Sequence, residues 1–160
     1  MISAKDNKYL NISTHISFEE ATKSETAIRK GIKNIPNKEQ LENMKLVADK
    51  CFEPIRLFFK VAIFINSFFR CIELNKIIGG SKTSEHCEGK AIDIDGKHLI
   101  KNSKIFFWAL ENLKFTQLIW EFGDNENPEW VHISYDKNNL KQEVLRAEKI
   151  GTKTIYTKFV

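Results

Sequence analysis

The chain has 160 residues, 42% of them hydrophobic and including 12 Phe, 3 Trp and 3 Tyr, which suits one domain with a real core and leaves little chain for a second. Lysine and arginine exceed aspartate and glutamate by 25 to 21, a formal net charge of +4, but the basic residues are scattered with no aromatic platform among them, which argues against nucleic-acid binding. The three cysteines, Cys51, Cys71 and Cys87, have no paired spacing, which speaks against a disulfide framework or a zinc ribbon and for thiols kept reduced.

In chain order, the N-terminus lacks a basic start followed by an apolar core, so no secretory signal peptide is read, and residues 1–15 are expected to be peripheral to a single domain spanning 1–160. Ser17-Phe18-Glu19-Glu20 reads as a capping box opening a helix to about Lys30, closed by Gly31. Pro36 to Gln40 starts a second helix. Its stripe of Leu41, Met44, Val47, Ala48, Cys51, Phe52 and Ile55 has three-and-four spacing, and Pro54 should bend or end it. The apolar run from Ile55 to Phe69 is broken by Arg56, Lys60, Asn66 and Ser67, too short and interrupted to span a bilayer, so a soluble protein is expected.

Val61 to Ile65 fits a buried strand, and Arg70 to Ile78 a short helix stopped by Gly79-Gly80. Asn102 or Ser103 can cap a helix bearing Ile105, Phe106, Ala109, Leu110 and Leu113 on one side. Gln117 to Glu121 and Trp130 to Tyr135 read as an antiparallel hairpin around a polar loop. Asp136 is expected to cap a last helix near Leu140 to Ile150, followed by a terminal strand from Thr152 to Thr157. The fold class is therefore α+β, with helices packed on one face of a small, mostly antiparallel sheet.

The chemistry concentrates in Ser84 to Asp95. His86 and Asp93 flank a turn that Gly89 can make, and the alternation of Ala91-Ile92-Asp93-Ile94-Asp95 sends Asp93 to one face and the two isoleucines to the other. In Trp130-Val131-His132-Ile133-Ser134 the same alternation presents His132 from a strand. Two imidazoles and one carboxylate form a common ligand set for catalytic zinc with a fourth position open to water, the arrangement of a hydrolase. A general base is then required. Glu121, ending the partner strand, and Glu129, three residues before His132, both qualify. In a continuous strand the offset of three points to the opposite face, which favours Glu121.

These residues resemble the zinc D-alanyl-D-alanine carboxypeptidase family of peptidoglycan peptidases. Gly79-Gly80-Ser81, then Ser-x-His-x-x-Gly-x-Ala-x-Asp from Ser84, then Trp-Val-His-Ile-Ser carry the likeness, which runs from about Ile16 to the end and is nearest to compact phage-type members. The resemblance implies the fold shared with lysostaphin-type enzymes and the hedgehog domain, one Zn2+ per chain on His86, Asp93 and His132, and hydrolysis of an amide bond in stem peptides or cross-links. It also implies an endolysin that reaches the wall by holin-type release or within a virion. Arg70 matches a substrate-holding arginine of the family, although Ser67-Phe68-Phe69 stands where Ser-Gly-Tyr is usual, and Ser84 matches the serine two before the first ligand. Trp130 shares the His132 face, where lining the cleft and packing in the core are both open.

Other residues read more simply: His15 and His98 as structural, Asp95 as a supporting or solvated carboxylate, Cys87 as pointing away from the metal. A monomer acting on peptidoglycan peptide, with no nucleic-acid or membrane partner, is expected. The competing reading is a zinc-stabilised wall-binding or virion module without catalysis.

Overall fold

The computed structural model describes residues 11–160, so most of the expected peripheral segment lies outside the described residues. A short ribbon of β1 (Asn11–Ser13) and β2 (Ile16–Ser17) leads into α1 (Phe18–Thr22) and α2 (Glu25–Lys30). The expected single helix is split because Ser24 starts a new one: Ser17 accepts from the Glu20 amide and Ser24 from the Ala27 amide, each capping its own first turn. Gly31 closes α2 in the left-handed conformation, at φ 66°.

A full capping box between Asn37 and Gln40 starts α3 (Lys38–Val47). Pro54 bends the helix instead of ending it. Lacking an N–H, it cannot join the regular ladder; the preceding turn widens into a π-helical segment, Ala48–Phe52, and α4 (Glu53–Phe59) continues beyond. Ser13 and His15 hydrogen-bond Glu53 at 2.6 Å each, so His15 ties the ribbon to α4, a structural role.

Strand β3 is Phe64–Ser67, later than the expected Val61–Ile65, since its register is set by pairing with β4 (Ala91–Asp95). Between them lie α5 (Ile72–Ile77) and a single 3-10 turn, Glu85–Glu88. After α6 (Asn102–Asn112) come β5 (Gln117–Glu121), β6 (Trp130–Ser134), β7 (Glu143–Ile150) and β8 (Lys153–Lys158). The α6 start corrects the expected cap: the Asn102 side chain turns inward, and the Asn127 side chain accepts from the Ser103 amide in its place.

The largest correction concerns residues 143–150, which form a strand where a helix was expected. Helix formers such as Glu, Leu, Arg, Ala and Lys fill the segment, but β5 offers an open edge and β7 pairs with it in parallel. Ladder pairing and burial of Ala147 override local propensity. The resulting six-stranded sheet has the order β3-β4-β6-β5-β7-β8, antiparallel except for the β5–β7 pair, hence mixed.

One sheet face is the floor of the core. Ile92, Ile94, Val131, Ile133, Leu118 and Trp120 alternate onto it, each at most 1% exposed, beneath α3, the π-helical turn and α6. Full burial of such side chains contributes about 1.5–3 kcal/mol each. The opposite face carries Asp93, His132 and Glu121. Among the described residues no helix is long and apolar enough to cross a membrane.

Candidate metal centre and cleft

The central strands fix two of the polar side chains by register. Asp93 pairs directly with His132 across the antiparallel β4–β6 ladder, so both project from one face at adjacent positions. His86 arrives from the 3-10 turn that precedes β4, and Gly89 makes that approach possible. At φ +72° it adopts a conformation L side chains rarely take, and a Cβ there would stand 2.4 Å from the Gln40 carbonyl oxygen of α3.

The ligating atoms of His86, Asp93 and His132 all lie within 4.8 Å of one another. Asp93 sits between the rings, with His132 Nδ1 2.8 Å from Oδ1 and His86 Nε2 3.3 Å from Oδ2. His86 Nδ1 is 2.7 Å from the Phe68 carbonyl oxygen, which only a protonated nitrogen can satisfy, so Nε2 is the atom left to bind. Tetrahedral zinc ligands are separated by about 3.4 Å, given bonds near 2.1 Å. The His86–Asp93 and Asp93–His132 separations, 3.3 and 2.8 Å, are of that order, and borderline nitrogen and hard oxygen donors suit zinc.

The electrostatics fit a cation-binding cluster. Burial alone would raise the Asp93 carboxyl, but the charges and hydrogen bonds of His86 and His132 outweigh it and hold the group far below the usual carboxylate range. Burial works against protonated His132, yet the Asp93 hydrogen bond and charge, followed by Glu121, hold the imidazole above its ordinary range.

The triad opens onto a cleft of about 1060 Å³. Glu121 lies in that cleft and is only 6% exposed, whereas Glu129 is exposed and its side chain does not line the cleft. The Glu129 backbone explains the difference: its amide donates to the Glu121 carbonyl and its carbonyl accepts from Asn102, which fixes the chain with the carboxylate outside. Burial, opposed by His132 and reinforced by Asp93, pushes the Glu121 carboxyl up to about 7.

Arg70, Ser84 and Trp130 also line the cleft. Arg70 Nη2 donates to Ser84 Oγ at 3.2 Å, and the Arg70 amide donates to the His86 carbonyl, which ties Arg70 to the segment bearing His86. Arg70 Nε and Trp130 Nε1 are buried without a hydrogen-bond partner among the described residues. Such donors cost about 1–3 kcal/mol if left unmet. The Trp130 ring lines the cleft and packs edge-on against Phe122 with ring centroids 5.2 Å apart. Asp95 instead accepts from Lys97 and Asn102, fixing the turn after β4, and Cys87 is not among the lining residues.

Two asparagines hold this arrangement: Asn34, which the sequence does not single out, and Asn102, which reads there only as a candidate helix cap. Buried Asn34 donates to the Thr22 and Phe69 carbonyls and accepts from the Cys71 amide, bracketing Arg70. Asn102 joins Gly96, Asp95, Pro128 and Glu129, coupling the end of β4 to the loop before β6. Neither sits in a recognisable motif. The cleft wall formed by Lys149, Thr154 and Tyr156 was likewise hidden, because β7 was expected to be a helix.

Comparison with curated proteins gives no match. A family profile described as Peptidase M15 matches residues 14–134, more than half of the chain and inclusive of all three triad residues. With the His-Asp-His cluster, the α+β fold and this match together, the chain belongs to the Peptidase M15 family.

Proposed function

We propose that this chain is a zinc-dependent peptidase that hydrolyses an amide bond in peptidoglycan stem peptides or cross-links, as a phage-type endolysin. The observation that carries the reading is the convergence of His86, Asp93 and His132 in a cleft that also holds Glu121 and Arg70. His86 Nε2, an Asp93 oxygen and His132 Nδ1 would hold the ion. Zinc bound there supplies Lewis-acid polarisation of the scissile carbonyl and activation of water near neutral pH.

This chain's residues supply the rest. Glu121, buried beside the triad, takes the proton from the attacking water and delivers it to the departing amine. Its elevated proton affinity, about 7 in the metal-free protein, suits a group that must both accept and release a proton. Arg70 offers its planar guanidinium to a substrate carboxylate or carbonyl at a fixed distance from the triad, with Ser84 orienting it. Trp130 lines the cleft beside Glu121, its cross-strand partner, and offers the peptide an aromatic wall.

Mass spectrometry of products from a defined muropeptide digest tests the reading and identifies the bond. Loss of a single terminal D-alanine marks a carboxypeptidase, and separation of cross-linked dimers marks an endopeptidase. Unchanged muropeptides in the presence of zinc would refute both.

A further inference from the structure

The chain beyond Ser134 lies outside the family match, yet it walls one side of the cleft with Lys149, Thr154 and Tyr156. Register places them. Glu121 pairs with Ala147 across the parallel β5–β7 ladder, and Ala147 pairs with Tyr156 across β7–β8, so the three stand in one row on one face. Adjacent strands lie about 4.8 Å apart, which sets the Tyr156 backbone about 10 Å from that of Glu121. The residue between is alanine, whose single methyl leaves that space to the phenol. Ala147 is 0% exposed although it is on the cleft face, so side chains from its neighbours cover it.

Tyr156 remains 53% exposed and therefore open to a ligand. Partial burial, then the charges of Glu121 and Asp93, raise its phenol above the ordinary range, with Arg70 opposing. The hydroxyl thus keeps its proton and stands within electrostatic reach of the triad, Glu121 and Arg70. The hairpin that bears it is fixed in place. Phe159, just after β8, packs on Phe106 and Trp120 with ring centroids 4.7 and 5.5 Å apart, and its amide donates to the Val144 carbonyl at 3.0 Å.

Arg70 follows β3 on one flank of the triad strands, and β8 forms the other flank. We propose that the β7–β8 hairpin is a substrate-binding wall and that the Tyr156 hydroxyl donates a hydrogen bond to a backbone carbonyl of the bound peptide, opposite Arg70. This rests on the peptidase reading for the identity of the ligand. A peptide held at both flanks is fixed across the reacting centre, which neither donor achieves alone.

Titration calorimetry of a synthetic stem pentapeptide ending in D-alanyl-D-alanine, into metal-free protein, tests the hydroxyl without requiring turnover. Tyr156→Phe keeps the aromatic ring and removes only the donor. Its affinity is expected to fall roughly 3- to 10-fold with an unchanged melting temperature, the effect of one neutral hydrogen bond. With zinc restored, the same factor is expected in KM and not in kcat. Wild-type affinity in Tyr156→Phe together with weakened binding in Tyr156→Ala would overturn the proposal by reducing the ring to a structural cover. No measurable binding by the wild type would overturn it as well. Binding that depends on the hydroxyl, in a wild type that cleaves no muropeptide, would uphold the wall and refute the peptidase reading alone.

Discussion

Asp93 and His132 stand on β4 and β6, each hydrogen-bonded to a strand on both sides, whereas Tyr156 stands on β8, which pairs with β7 alone. Beneath the triad lie Ile92, Ile94, Val131 and Ile133, all 0% exposed, and beside it Phe68 and Asp93 fix the two imidazoles. The hairpin has a lighter hold: one ladder to β5 and the Phe159 anchor. The difference separates two demands. In the proposed peptidase, metal-binding geometry tolerates little displacement, and two of its three candidate residues, Asp93 and His132, occupy doubly paired strands, while the proposed substrate contact at Tyr156 extends from the sheet's edge.

That contrast breaks most sharply at the two glutamates. Glu121→Gln is expected to lower peptide hydrolysis by about 10²- to 10⁴-fold, the range for removing a general base, with zinc content unchanged. Glu129→Gln, which alters an exposed carboxylate outside the cleft, should leave the rate within about twofold. Steady-state rates and metal analysis on the same samples check both, and equal losses would remove the distinction between the two positions.

Stability of the metal-free protein against pH sharpens the picture of the centre. Glu121 is raised from 4.5 to about 7 in the folded state, so the native protein retains a proton that the unfolded chain releases, and stability falls as pH rises through that window. His132, also raised, acts in the same direction: its stabilisation is present at low pH and lost as pH rises through its folded value. Glu121→Gln should therefore stabilise metal-free protein by on the order of 3 kcal/mol at pH 8 and by about 1 kcal/mol or less at pH 5. Urea unfolding at the two pH values reads the difference. No gain at pH 8 would mean that Glu121 is not held against its charge.

The smallest effect is expected at the edge. Phe159→Ala removes aromatic contacts with Phe106 and Trp120 and should cost about 1–3 kcal/mol, with hydrogen exchange quickening in β7 and β8 while β4 and β6 stay protected. Uniform quickening across the sheet would show that the two regions unfold as one.

What could be read from the sequence divides along the same line. Strict alternation in Ala91–Asp95 and Trp130–Ser134, bounded by turn residues, specified both strands and the shared face of Asp93 and His132, because period-two burial is written directly into residue type. The face argument also favoured Glu121 over Glu129. In contrast, residues 143–150 carry helix formers and become a strand only because β5 has an edge to fill, a tertiary fact absent from any local window. The consequence was that Tyr156 and Lys149 were not assigned to the cleft. The bracing roles of Asn34 and Asn102 were missed for a related reason: their bonds join segments up to 37 residues apart.

The central claim, that the triad makes this chain a metal-dependent peptidase, is tested most directly by stripping the protein with a chelator and following muropeptide cleavage as zinc is returned. The stripped protein should show no cleavage, and the rate should rise linearly with added zinc and break at one equivalent per chain. Full cleavage before any zinc is added, or none at any equivalent, would contradict it.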